Sequence, residues 1–122
     1  MKISAAESLV MEALWTQSPL AAEDVTARVA ADQGWSEATV KSLLNRLLKK
    51  KAISAEKDGR RYQYRPLTRR TDYVTTESQG LLDRLFDGRL APLVSHFSES
   101  RTLSPDDIAE LKRLIEELDH DR

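Results

Sequence analysis

Six side chains between residues 39 and 49 carry the chemistry this sequence offers: Thr39, Lys41, Ser42, Asn45, Arg46 and Lys49. They are hydroxyl, amide and cationic groups, suited to hydrogen bonds and ion pairs with base edges and phosphates rather than to bond making. An enzyme has little to stand on. His96 and His120 are the only histidines, there is no glycine-rich phosphate loop, and no nucleophile has a base at recognisable spacing.

The element that must position those six groups is legible from its other side. Val40, Leu43, Leu44, Leu47 and Leu48 recur at i, i+3, i+4, i+7 and i+8, which predicts one buried stripe on a helix within residues 35–51. Ser36 is its N-cap. A polar and basic face opposite an apolar stripe suits a major groove, but any solvated surface helix shows the same pairing, so context has to decide.

Charge supplies part of that context. The whole chain carries a formal charge of −1, yet residues 1–70 hold 13 Lys/Arg against 8 Asp/Glu while residues 71–122 hold 6 against 12. Within residues 39–70 the balance is 11 basic to 2 acidic, the footprint expected of a nucleic-acid surface with salt-dependent binding. A chain of 122 residues has room for one small domain and an added assembly element. With no cysteine there is no disulfide framework and no thiolate metal site. No apolar run spans a bilayer and the opening M-K-I-S-A-A-E is unlike a signal peptide, so the expected location is the cytoplasm, with no membrane insertion.

Upstream, Ser4 and Glu7 form an S-x-x-E capping box for a first helix, with Leu9, Val10, Ala13 and Leu14 on one side and an end near residues 15–17. Ser18-Pro19 breaks it. A second helix is expected over residues 22–31, with Val25 and Val29 inward, Glu23 and Asp24 in its first turn, and Ala21 where a capping hydroxyl is wanted. Asp32-Gln33-Gly34 turns the chain into the basic helix, giving helix-turn-helix order. After Lys51 the period changes to 2, through Ile53 and Ala55, Asp58-Gly59, then Tyr62 and Tyr64 before Pro66. That is a β-hairpin with Asp58-Gly59 as its loop. Its tip carries Lys57, Arg60 and Arg61. Tyr62 and Tyr64 read as cross-strand packing rather than base stackers. Trp15 and Trp35 read as core anchors.

From Thr68 a longer helix carries Tyr73, Val74, Leu81, Leu82, Leu85 and Phe86, with Gly80 weakening its middle and Gly88 as its C-terminal cap. A short helix over residues 92–98 follows, with Leu90, Leu93, Val94 and Phe97 apolar. Ser104-Pro105-Asp106-Asp107 starts a last helix whose stripe is Ile108, Leu111, Leu114, Ile115 and Leu118. Three amphipathic helices of this size need a partner for their apolar sides. Residues 71–122 are therefore expected to be a homodimerisation element, the alternative being that they fold back on the first 70 residues. The fold class is mainly α with a small β-hairpin: an N-terminal winged helix-turn-helix over 1–70 and a C-terminal helical dimerisation element over 71–122. The Asp119-His120-Asp121 tail reads as a solvated terminus, and no cofactor or metal is expected.

The chain resembles the penicillinase and methicillin-resistance repressors, the BlaI/MecI family of winged-helix regulators. The matching residues are I-S-A-A-E at 3–7, Val10-Met11, Leu14-Trp15, Pro19, Trp35-Ser36, Thr39-Val40-Lys41, Leu44, Arg46-Leu47, Lys49-Lys50, Tyr62, Tyr64, Pro66-Leu67, Phe86-Asp87-Gly88 and Leu103-Ser104. The spacing across W-S-x-x-T-V-K-x-L-L-x-R-L is specific. The resemblance implies a dimeric repressor on a palindromic operator, with DNA contacts from Thr39, Lys41, Ser42 and Arg46, and from the wing near Arg60 and Arg61. It implies that the C-terminal helices join the protomers, which agrees with the apolar stripes read above, whose expected dimerisation residues are Leu82, Leu85, Phe86, Leu93, Phe97, Ile108, Leu111, Leu114, Ile115 and Leu118. In some members a membrane-bound metalloprotease sensor triggers cleavage at an Asn-Phe pair. The corresponding candidate pair here is His96-Phe97, a departure at the asparagine. Copper-responsive relatives use a cysteine-rich site, which this sequence cannot form. Lys51 stands where the family usually has glycine. The competing reading, a pure protein-interaction module, gives no reason to gather nine net positive charges in residues 39–70.

Overall fold

The computed structural model describes residues 2–120. In chain order they form α1 (Ala5–Thr16), α2 (Ala22–Gln33), α3 (Glu37–Lys49), β1 (Ile53–Asp58), β2 (Arg61–Pro66), α4 (Arg70–Leu85), α5 (Leu90–Glu99) and α6 (Pro105–His120). Two compact units divide the chain, Met1–Val74 and Thr75–Arg122, and the division falls inside α4.

In the N-terminal unit, α1, α2 and α3 pack on one another and the hairpin closes one side. Ser4 caps α1 as its sequence predicts: the Glu7 N–H donates to Ser4 Oγ at 3.1 Å and the Ser4 N–H donates to Glu7 Oε1 at 3.0 Å. The buried stripe of α1 is Glu7, Val10, Met11, Ala13 and Leu14. Leu9 is a correction to the expected stripe, because it is 37% exposed on the lip of a groove that also involves Arg28 and Val29 of α2. Met11 takes its place in the core. The α2 helix runs two residues past its expected end, to Gln33, and closes on Gly34 at φ +67°, whose N–H reaches Ala30 O. At its start Asp24 accepts the Ala21 N–H at 3.3 Å, the return half of a capping box, while Ala21 offers no side-chain acceptor to the first turn.

The hairpin is antiparallel and pairs Asp58 with Arg61, so its two-residue loop is Gly59-Arg60 and not Asp58-Gly59. Gly59, at φ +65°, sits first in the loop, where a primed hairpin turn places glycine because a side chain there is strained. One residue of register decides that Asp58 is a strand residue and Arg60 the tip. Leu20 joins the outer edge of β2 through a single antiparallel bridge: its N–H donates to Tyr64 O at 3.1 Å and its carbonyl accepts the Tyr64 N–H at 2.8 Å. The core gathers Val10, Met11, Leu14, Val25, Val40, Leu44 and Leu47, each 0% exposed, with Ile53 and Tyr64 from the hairpin. Trp15 and Trp35 pack against it, half-buried.

The C-terminal unit holds the rest of α4 with α5 and α6. Ser104 caps α6, accepting the Asp107 N–H at 3.0 Å. None of the three helices has a buried residue. Against the expected span, α4 begins at Arg70 rather than Thr68, and α5 covers Leu90–Glu99 rather than 92–98. Asp121 of the Asp119-His120-Asp121 tail lies outside the described residues.

Candidate nucleic-acid interface

The α3 helix separates its two faces sharply. Val40, Leu44 and Leu47 are fully buried and Leu43 nearly so, while Thr39, Lys41, Ser42, Asn45, Arg46 and Lys49 are all exposed. Leu48, expected in the stripe, is only partly buried at its edge. Ser36 Oγ accepts the Thr39 N–H at 3.2 Å and lies 3.2 Å from the Thr39 hydroxyl, so Thr39 belongs to the cap as well as to the outer face. Lys41 Nζ lies 3.7 Å from Glu37, one turn earlier. Arg46 and Lys49 make no ion pair among the described residues and end the helix with positive charge, where the macrodipole favours it.

The start of α3 and the hairpin tip come together. Glu37 and Lys41 share a shallow cleft with Arg60, Arg61 and Tyr62. Arg60 is exposed at the tip and makes no ion pair among the described residues. Arg61 is placed differently from a simple outward cation, with Nη1 2.7 Å from Glu23 and Nη2 3.5 Å from Asp24 in the first turn of α2. The two tyrosines also part company. Tyr64 is 8% exposed and burial, followed by the neighbouring Tyr62, raises its phenol above the usual value, which keeps it a neutral core group. Tyr62 is 50% exposed beside the cations, so cross-strand packing describes Tyr64 better than Tyr62.

Two residues the sequence reading named for other reasons, Glu7 as a capping-box partner and Lys51 as a replaced glycine, have roles here that it did not anticipate. Glu7 is 1% exposed, and its Oε1 accepts a 2.6 Å hydrogen bond from Lys50 Nζ, the C-cap residue of α3. Burial alone would raise its pKa. The hydrogen bonds from Lys50 and Ser4, with the Lys50 charge, outweigh that and leave it below the ordinary carboxylate value. Glu7 Oε2 is buried with no hydrogen-bond partner among the described residues. The available signal was periodic: positions 7, 10, 11 and 14 form one helical stripe, and Glu7 lies on it. The second residue is Lys51, whose φ of +62° is the left-handed conformation glycine favours. Its N–H donates to Leu48 O and the Ala52 N–H to Leu47 O, both at 3.0 Å, completing a Schellman cap.

In the C-terminal unit, Leu82, Phe86, Leu93 and Leu111 are half-buried. Leu85, Phe97, Ile108, Leu114, Ile115 and Leu118 are exposed, from 39% at Phe97 to 64% at Leu85. The His96-Phe97 pair lies within α5, with the two rings 5.4 Å apart. Among the described residues no group of His, Asp and Glu is arranged to hold a metal ion, and no helix is long and apolar enough to cross a membrane.

Comparison with known proteins bears on the same surface. A sequence profile described as penicillinase repressor matches residues 3–117. The penicillinase repressor of Bacillus licheniformis is 34% identical over 95% of this chain and 91% of its own length. The methicillin resistance regulatory protein MecI of Staphylococcus aureus is 31% identical over 93% of each chain. Among solved structures, the DNA binding domain of the repressor BlaI superposes with a TM-score of 0.54 at 35% identity, covering 59% of this chain and 88% of that one. Monomeric B. licheniformis BlaI in complex with the blaP half-operator superposes with a TM-score of 0.52 at 34% identity, covering 60% and 89%.

Proposed function

The chain belongs to the penicillinase repressor family, and we propose on that footing that it is a sequence-specific DNA-binding repressor acting as a homodimer on a palindromic operator. The observation that carries the reading is the outer face of α3. Six hydrogen-bonding or cationic side chains stand exposed on a helix whose opposite face is locked into the core. In this reading Lys41, Ser42, Asn45 and Arg46 meet base edges in the major groove, Thr39 and Lys49 meet base or phosphate, and Arg60 meets phosphate from the wing. Arg61 joins them only by leaving Glu23 and Asp24. The half-operator bound by a BlaI monomer is the kind of DNA one such unit would hold.

The exposed apolar side chains of α4, α5 and α6 support dimerisation, because burying them against a second copy is worth about 25 cal/mol per Å² of apolar surface. A dimer on a promoter blocks polymerase. Release follows when dimerisation fails, since one unit alone makes half of the contacts. Cleavage at His96-Phe97 by a metalloprotease sensor pathway requires α5 to open first, because that peptide bond lies inside a helix. The function involves no catalytic step and no cofactor, and it places the protein in the cytoplasm with the DNA.

The test is a salt series of binding to the promoter DNA upstream of its own gene and to a scrambled duplex of equal length, with oligomeric state followed in the same samples. The expected result is dimer-dependent preference for the promoter and a log-linear loss of affinity with salt, as released counterions require. Equal, weak binding to both duplexes overturns the repressor reading in favour of an interaction module.

A further inference from the structure

The cleft between the start of α3 and the hairpin tip holds carboxylates that a phosphate-binding surface does not need. Glu23 and Glu37 line it together with Lys41, Arg60 and Arg61. Arg61 is held from two sides, by Glu23 at 2.7 Å and Asp24 at 3.5 Å, and each of the three side chains is about half exposed. Asp24 is itself fixed, because the same Oδ2 accepts the Ala21 N–H. Single exposed ion pairs are weak, but two carboxylates on one guanidinium, one of them anchored to backbone, form a small network that holds better. These acids also occupy the first turn of α2, where the helix dipole would otherwise attract an anion. Arg60, the preceding residue, makes no ion pair among the described residues. Two neighbouring guanidinium groups of the wing thus differ, one open to solvent and one restrained.

We propose that Glu23 and Asp24 are specificity-determining residues: by withholding Arg61 they weaken binding to arbitrary duplex more than binding to the operator. The inference rests on the repressor reading and names residues outside both the outer face of α3 and the wing. What matters is how the two complexes differ. Binding to arbitrary sequence comes from phosphate neutralisation, and with no base contact to seat it the protein settles wherever a released Arg61 finds a phosphate. On the operator the α3 side chains seat the unit in one register, and Arg61 gains only what that register offers. Preference is a difference of affinities. Restraining a cation that serves the wrong sequence better than the right one therefore raises it.

The experiment uses the full chain with the promoter and scrambled duplexes of the salt series. E23Q combined with D24N removes both charges while keeping the side-chain shapes and an oxygen at 24 for the Ala21 N–H. E23Q alone leaves that bond untouched, and it decides the matter if the double variant fails to fold. Each change is repeated in an R61M background, so that a double-mutant cycle separates the release of Arg61 from the general loss of negative charge. Melting temperature and oligomeric state are followed alongside. The double variant is expected to bind the scrambled duplex about fivefold more tightly, with the log-log salt slope steeper by about 0.9, the mark of one further phosphate contact. Promoter affinity should rise by less than about twofold, and E23Q alone should show the same pattern in smaller measure. In the R61M background the gain on the scrambled duplex should shrink to less than about twofold. Equal gains on both duplexes overturn the proposal, as the acids then repel DNA without choosing between sequences. An equal gain with and without Arg61 overturns it too, since no cation was being withheld. So does unchanged affinity for both duplexes in a variant that melts as the wild type does. A wild type that binds both duplexes equally and weakly overturns the repressor reading itself, and that result needs no variant.

Discussion

Arg46 and Arg61 both present guanidinium groups to solvent, yet their surroundings differ. Arg46 stands on the outer face of α3 without an ion pair among the described residues, whereas Arg61 is held between Glu23 and Asp24. Arg46→Ala and Lys41→Ala are expected to weaken specific operator binding by about 1–3 kcal/mol each, measured by titration against the promoter and scrambled duplexes. Arg61→Ala should cost less than either, because any phosphate contact it makes competes with two carboxylates in the free protein. Glu7 governs a different property. Its folded pKa lies below the ordinary carboxylate value, so the stability it contributes is present at neutral pH and is lost as pH falls through the carboxylate range toward the folded value. Glu7→Gln should be less stable by about 1.5–3 kcal/mol near pH 7, the worth of a hydrogen bond to a charged group. Urea unfolding at a series of pH values should find that gap narrowing as the solution is acidified. A gap independent of pH would show that the carboxylate charge is not what Lys50 recognises.

At the scale of elements, α3 is fixed at both ends and along one side. Ser36 closes its start, the Schellman bonds to Leu47 and Leu48 close its end, and Glu7 ties its C-cap residue Lys50 to α1. The weak component is Lys51, an L-residue at φ +62°. A left-handed non-glycine residue costs about 1–2 kcal/mol, partly offset on replacement by the greater freedom glycine has in the unfolded chain. Lys51→Gly should therefore stabilise the winged helix by about 0.5–1 kcal/mol, seen as a higher urea midpoint at unchanged slope. The hairpin places Arg60 at the tip by its register, and Tyr64 anchors it through the paired hydrogen bonds to Leu20. The wing is thus held by a core residue on one strand while its tip remains in solvent.

For the whole molecule, the proposed division of labour rests on where apolar surface is left. The N-terminal unit has a closed core, while α4, α5 and α6 contain no buried residue and display Leu85, Leu114, Ile115 and Leu118. Leu114→Asp should shift the protein to monomer in sedimentation equilibrium and reduce full-operator affinity to the level of a half-site, leaving half-site binding unchanged. A variant that stays dimeric with full affinity would mean that assembly runs through other surfaces.

The sequence by itself determined the elements and the polar, basic character of the outer face of α3, because both are written in local patterns. The period-3.6 stripe of α3, the Ser4/Glu7 capping box, the Ser104 cap and the Asp-Gly signal after a change to period 2 act over a few residues each. Their helix or hairpin can be read without knowing what lies across the core. Only the tertiary structure decided which charged groups are available. Lys50 is tied to Glu7 across 43 residues and Arg70 to Glu12 across 58, and Trp15 bonds Thr68 across 53. No periodicity links partners so far apart, so the cationic count of residues 39–70 overstated the surface open to phosphate. Leu9 and Met11 exchanged roles for a related reason. A helical stripe has edges that only the neighbouring helix defines, and α2 leaves Leu9 at the lip of a groove while closing over Met11.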